Sequence, residues 1–320
     1  VMKISGNYLD TRQKLWESHV RLGDQKLRIK DFAGAVQYYQ SSLSYTDDKS
    51  TSNQLIAGAY YQWADQSFRE KNFREATEKF ENVLSIDPSY RDAKLRREDS
   101  FQKAVRRIAI LPFQNSTNYP GDKYSNLLTD YVLNNCINAK LKYIIFINRA
   151  NLDLILEEHK LAMSGVLDTG KASEIGQLEG IHNFGTGNIT QITHQNIPPS
   201  YVKKTYEKIT TLKDSTGNDI RHTDLIDYLE FTASRNVQVA VSFQLVEVET
   251  GRYILGENFT TEAKDEVTWI RYDGSITDLP SNLRSMVKRN AEPKSPDLLL
   301  IDAMQNLSGQ IAAKLVNLFQ

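Results

Sequence analysis

Apolar and polar positions divide this chain into two regimes. From Leu9 to Ala104 the apolar residues recur at three- and four-residue steps, the spacing of amphipathic helices. From Arg107 onward short β-branched runs alternate with helical patterns. Arg107-Ile108-Ala109-Ile110-Leu111-Pro112-Phe113 predicts a buried strand, ended by proline and the polar run Asn115 to Asn118. Tyr124 to Ala139 places Leu127, Leu128, Tyr131, Val132, Asn135 and Cys136 at helical spacing. Lys142 to Ile147 predicts a second strand, Asn151 to Met163 a helix, Glu174 to Leu178 a short helix, and Gly180 to Ile192 a third strand. Strands and helices alternating in this way define an α/β layer domain.

Two later stretches extend it. Val237, Val239, Val241, Phe243 and Leu245 alternate with polar or small residues, as in a half-buried strand. Glu249-Thr250-Gly251 predicts a hairpin turn, with Tyr253 to Thr261 returning. Leu300, Met304, Leu307, Ile311, Leu315 and Leu318 form the apolar stripe of a last helix, Leu299 to Phe319. Between these elements lie two polar stretches, at about 194–235 and about 262–297, expected as inserts that interrupt the strands.

The helical half carries an internal repeat. Leu22-Gly23, Lys30-Asp31-Phe32, Ala35, Tyr39 and Leu43 are echoed by Trp63-Ala64, Lys71-Asn72-Phe73, Ala76, Phe80 and Leu84, with Ala35 and Ala76 separated by 41 positions. A tetratricopeptide repeat has a period of about 34, and the polar loop Asp47 to Asn53 accounts for the excess. Small residues at Gly23, Ala35, Ala64 and Ala76 let antiparallel helices approach. Aromatics at Phe32, Tyr39, Phe73 and Phe80 fill the space between them, and Pro88 ends the second hairpin. The segment from Asn72 to Ala93 resembles a tetratricopeptide repeat. Leu9 to Glu17 and Tyr90 to Ala104 are expected as packing and capping helices.

Composition narrows the function. The 320 residues suffice for two domains, and 40% hydrophobic with 25% charged residues supports a folded core. A net charge of −1 leaves no basic surplus for nucleic acid or anionic lipid. No apolar run reaches the roughly 18 residues of a membrane helix. The lone Cys136 excludes an intramolecular disulfide and reads as a small core residue.

Candidate chemistry is sparse. Gly165-Val166-Leu167-Asp168-Thr169-Gly170-Lys171 matches the outline of a phosphate loop, but Ala172 stands where a Ser or Thr would meet Mg²⁺, and a helix rather than a strand precedes it. Those glycines read as helix-ending punctuation. His19, His159, His182, His194 and His222 have no metal-ligand spacing. Ser164-Gly165 lacks the flanking glycine of a nucleophile elbow. Gly185-Thr186-Gly187 reads as close backbone approach within a strand. These observations predict no enzyme, no cofactor and no metal.

The strand Ile108 to Phe113, the block Phe146 to Gly165, the return strand through Gly185 and Gly187, and Val237 to Gly256 together resemble the CsgG family, named for the curli-assembly outer-membrane lipoprotein. The fold class expected is α+β: helical tetratricopeptide hairpins in 1–104, then a CsgG-like α/β sandwich with two polar inserts in 105–320. The resemblance implies periplasmic residence at the bacterial outer membrane, through a lipid anchor outside this sequence or through partners. It also implies homo-oligomers or a larger envelope complex. Two roles are compatible with it. One is a non-catalytic scaffold that binds protein partners through its repeats. The other is a secretion-channel subunit whose hairpins join a shared barrel, because the family's hairpins fall where the two polar stretches lie. Lys203 and Glu207 on one face, with Lys204 and Lys208 on the other, leave no clean lipid face and favour the scaffold. Tyr201, Tyr206, Tyr228, Phe231, Trp269 and Tyr272 in these stretches are expected interface residues, with packing onto their own domain as the alternative.

Overall fold

A computed structural model describes residues 2–119, 123–147, 180–287 and 291–319, with side chains from residue 10 onward. The helix expected at Asn151 to Met163, the helix at Glu174 to Leu178, the loop at Lys171 and His159 lie outside these residues. The chain forms two compact units. One comprises Val1–Arg106 with Lys142–Ile144, the other Arg107–Leu141 with Ile145–Gln320.

The first unit is helical: α1 (Met2–Arg28), α2 (Phe32–Ser42), α3 (Ser50–Arg69), α4 (Phe73–Ile86) and α5 (Ala93–Ala104). Each helix packs on the next in sequence. The segment expected as a separate helix at Leu9 to Glu17 is part of one continuous α1. The α1–α2 and α3–α4 turns repeat each other closely. Lys30 (φ 61°) and Lys71 (φ 64°) both adopt the left-handed conformation that ends a helix. The N–H groups of Asp31 and Asn72 then reach back to the carbonyls of Lys26 and Ser67, at 2.9 and 2.8 Å.

Small residues set the helix spacing. A Cβ on Gly23 would lie 2.4 Å from the Tyr39 ring, so only glycine fits. The Tyr39 hydroxyl donates to Asp24 at 2.7 Å. Ala35 and Tyr39 are buried in one cluster, and Ala64, Ala76 and Phe80 in another. Phe32 stacks on Trp63, and Phe73 meets Phe68 edge-on. Pro88 follows Asp87, the residue that caps α4.

The second unit is built on a mixed sheet in the order β3-β1-β4-β5-β6, with β2 paired to β4. Its strands are β1 (Arg106–Ile110), β2 (Gln114–Asn115), β3 (Ile144–Ile147), β4 (Asn183–Lys213), β5 (Asp219–Glu247) and β6 (Tyr253–Arg271). β1 runs parallel to β4, while β4, β5 and β6 are antiparallel. Helices α6 (Lys123–Asn138) and α7 (Pro296–Phe319) pack on each other, and α7 also packs on β5 and β6. Val237, Val239, Val241, Phe243 and Leu245 are buried as their alternation requires. Gly185 and Gly187 lie under Ile110 and Phe113, where a Cβ would come within 2.7 and 2.1 Å of those side chains. Gly251 turns the β5–β6 hairpin at φ 67°.

The two polar stretches do not interrupt the strands where expected: the first is strand on both sides of its turn, and the second is strand as far as Arg271. β4 runs unbroken through residue 194 to Lys213, and β5 runs from Asp219 to Glu247. β6 continues through residue 262 to Arg271, followed by a short 3₁₀ turn (Ile276–Asp278) and a one-turn helix (Ser281–Arg284). Pro198 and Pro199 sit in a bulge of β4 between Ile197 and Ser200. Proline is tolerated there because a bulged, outer strand edge needs no N–H donor.

Cys136 is buried in α6, and burial pushes its thiol up to about 12. A thiol reagent at pH 8 should leave the native protein unlabelled and modify one site per chain in urea. Fast native labelling would contradict the packing of α6.

Candidate interaction surface on the sheet domain

Beyond β1, β2 and β6, the β4–β5 hairpin continues as a two-stranded arm. Among the described residues, β4 is paired only with β5 past Ile189, and β5 only with β4 on the tip side of Leu229. The arm ends in a turn at Asp214–Asn218. There Asp214 accepts from the N–H groups of Thr216 and Asn218, both at 2.8 Å, and Gly217 takes φ 88°. Those bonds hold the Asp214 carboxyl below the usual range, the Thr216 hydroxyl first among the causes.

Near its root the arm is anchored on both faces. On one face Tyr201 meets Phe231 with ring centroids 5.3 Å apart, and Phe231 stacks on Trp269 at 5.4 Å. On the other, Ile226, Tyr228, Ile270 and Leu279 form a small core flanked by Tyr206, Tyr272, Leu283 and Met286. The segment after β6 covers that core. Met286 accepts from the Ile270 N–H at 2.9 Å, and Val287 bridges Ile270, so this end of the β6 edge is capped. Farther on, the Pro293 and Lys294 carbonyls receive the Arg235 guanidinium.

The six expected interface aromatics therefore fall into two groups, Tyr201, Phe231 and Trp269 on one face and Tyr206, Tyr228 and Tyr272 on the other. Tyr201 is 63% exposed, whereas Tyr228 and Trp269 are buried within their own chain. Ile209, Leu212, Ile220 and Leu225, none of them among the six aromatics, are exposed nearer the tip. Ile209 and Leu212 fall on opposite faces of the ribbon, as do Ile220 and Leu225, so no two-residue alternation marked them; the pairing puts Leu212 directly opposite Ile220.

Charges occupy both faces of the arm. Lys203 pairs with Asp227 at 2.7 Å on the Trp269 face. On the opposite face Lys204 pairs with Glu230 at 2.6 Å and Lys208 with Asp278 at 2.8 Å, and the His222 ring is hydrogen-bonded to Asp224 at 2.9 Å. Asp278 is held below the ordinary carboxylate range, chiefly by the bond from Lys208. A lipid-facing strand keeps every second residue apolar over its membrane-spanning length, and neither face of this arm does so.

Among the described residues no group of three or more His, Cys, Asp or Glu could hold a metal, and no helix is long and apolar enough to cross a membrane. His19 packs on Tyr45, His194 on Tyr119, and the His182 ring nitrogen accepts from the Arg107 N–H at 3.1 Å. Tyr119 and Tyr124 both donate to Asp297 at 2.9 Å, tying the start of α7 to α6 and to the loop before it. These histidines and tyrosines have structural contacts and converge on no reactive centre.

A stretch holding α5, α6 and all six strands, the whole arm included, matches a known family, while α7 lies beyond it. Residues 90–271 match the family described as Curli production assembly/transport component CsgG, and because the match spans more than half of the chain, the protein belongs to the CsgG family. No curated protein sequence matches the chain. Among solved structures, the PelC dodecamer from Paraburkholderia phytofirmans is similar at 10% identity, covering 68% of this chain and 89% of that one, with a TM-score of 0.28. A hypothetical protein from Chlamydia trachomatis is similar at 11% identity, over 68% of this chain and 98% of that one, with a TM-score of 0.31. A lipoprotein from Neisseria meningitidis is similar at 10% identity, over 57% of this chain and 91% of that one, with a TM-score of 0.29.

Proposed function

We propose that this protein is a non-catalytic assembly component of the bacterial cell envelope, in which a CsgG-type domain oligomerises and tetratricopeptide hairpins bind protein partners. Its place is the periplasmic side of the outer membrane, reached through a lipid anchor or through partners. Membership of a transport and assembly family supports the envelope setting. The repeated helix turns at Lys30 and Lys71 support the tetratricopeptide reading. The observation that carries the scaffold role is the arm, whose cross-strand ion pairs on both faces suit water or a protein neighbour. The alternative, a secretion-channel subunit, draws on the exposed Ile209, Leu212, Ile220 and Leu225 near the arm's tip.

Mass photometry over a nanomolar-to-micromolar series tests the assembly. An arm-shortened variant lacks residues 208–213 and 219–224, so that Glu207 joins Asp214 and Asn218 joins Leu225 with the facing of the strands preserved. Wild type should self-associate in the absence of lipid, and shortening the arm should weaken that association. A strict monomer at micromolar concentration, with or without membrane extract and unchanged by the deletion, would remove the oligomeric scaffold.

A further inference from the structure

We propose that a cavity in the helical unit binds the arginine side chain of a partner polypeptide. The cavity, of about 360 Å³, lies between α1 and the α2–α3 connection, with Arg12, Trp16, Tyr45, Asp47 and Asp48 in its wall. That volume is at the small end of ligand sites and suits one long side chain better than an extended ligand. The inference deepens the partner-binding reading of the helical unit by naming the chemistry of one contact.

The aromatic walls are fixed in place. The Trp16 indole N–H donates to Ser52 Oγ at 2.9 Å, and Ser52 is bonded to Ser42 at 2.8 Å, both serines being fully buried. Tyr45 packs on the His19 ring with centroids 5.0 Å apart. Both carboxylates are oriented through a single oxygen. Asp47 Oδ1 accepts from Arg12 Nη2 at 3.0 Å, and Asp48 Oδ1 accepts from the Ser50 N–H at 2.9 Å. The second oxygen of each has no partner among the described residues. Two carboxylates against one guanidinium leave the wall with a net negative charge, which a cationic guest neutralises.

Arginine fits this arrangement better than lysine. Its planar guanidinium stacks on aromatic faces while its N–H fork bonds carboxylate oxygens at the rim. An ammonium offers a point charge and no stacking plane. An acidic side chain would meet the carboxylates and be repelled.

NMR of the full chain reads the site through its tryptophan indoles, since Trp16 lines the cavity while Trp63 and Trp269 stand elsewhere. The probes are blocked tripeptides, acetyl-Gly-Arg-Gly-amide and its Lys and Glu counterparts. The arginine peptide should shift the Trp16 indole saturably with a dissociation constant on the order of millimolar, leaving the other two indoles in place. Asp48→Asn keeps an oxygen for the Ser50 N–H, and with Asp47→Asn it should weaken binding about ten-fold. The glutamate peptide should have no effect, and the lysine peptide should bind more weakly. No Trp16 shift by about 50 mM, a far weaker range than the millimolar constant expected, would overturn the proposal. So would equal response in the Asp47→Asn/Asp48→Asn variant, or equal binding of the lysine or glutamate peptide. Partner capture by the helical unit with a silent Trp16 would sink this site and leave the function above intact.

Discussion

Replacing Trp269 with alanine should destabilise the sheet unit by about 3–5 kcal/mol, the range for emptying a buried aromatic site. Trp269 is 2% exposed and stacks on Phe231, which in turn supports Tyr201 at the root of the arm. Removing the indole leaves a cavity between β5 and β6 and takes away the surface on which the other two rings rest. Hydrogen exchange of amides in β5 and β6 gives the loss directly, and the arm amides around Phe231 should exchange fastest. Trp269→Phe, which keeps a ring against Phe231, should recover much of the stability. A loss below about 1 kcal/mol for the alanine variant would mean that Trp269 is no anchor.

Ala76→Leu should overpack the helical unit and cost about 1–3 kcal/mol there. Ala76 is fully buried among Ala57, Ala64, Phe80, Val83 and Ala93, so the added carbons have no space without moving α3 from α4. Capture of partners from an envelope extract should fall. The sheet unit should stay folded, reported by an unchanged Trp269 indole. Equal capture by wild type and variant, with the helical unit demonstrably distorted, would show that the repeats are not the binding surface.

The elements that the sequence made plain are those whose partners are nearby or whose burial is one-sided. The alternation from Val237 to Leu245 marks a strand with one covered face, and the stripe from Leu300 to Leu315 marks the inner side of α7. Leu318, expected on that stripe, is 42% exposed because the stripe runs out at the helix end. Gly23 was readable as a close-approach residue, since its partner Tyr39 lies on the next helix, just across the α1–α2 connection.

The arm was hidden for a physical reason. Most of the two-stranded ribbon carries no continuous apolar face, so its residues look like a loop. Thr205 satisfies Asp227 across the ribbon, and Lys208 reaches Asp278 in the covering segment, pairings that no local window reveals. The cavity beside Trp16 was equally illegible. Asp47 to Asn53 read as a spacer between repeats, and only the fold brings Asp47 to Arg12 on α1.

Whether the arm meets water and protein or enters lipid is the question on which the scaffold account rests. An environment-sensitive dye placed singly by Ile209→Cys, Thr210→Cys or Leu225→Cys answers it, because the native Cys136 is buried and stays unlabelled. The three positions sample both faces near the tip, with Ile209 and Leu225 on one and Thr210 on the other. On adding outer-membrane-like vesicles, the account predicts no blue shift and no quenching by lipid-borne quenchers at any of the three. A blue shift at 209 and 225 but not at 210, following the two-residue period of a lipid-facing strand, would contradict it and make the arm part of a membrane barrel.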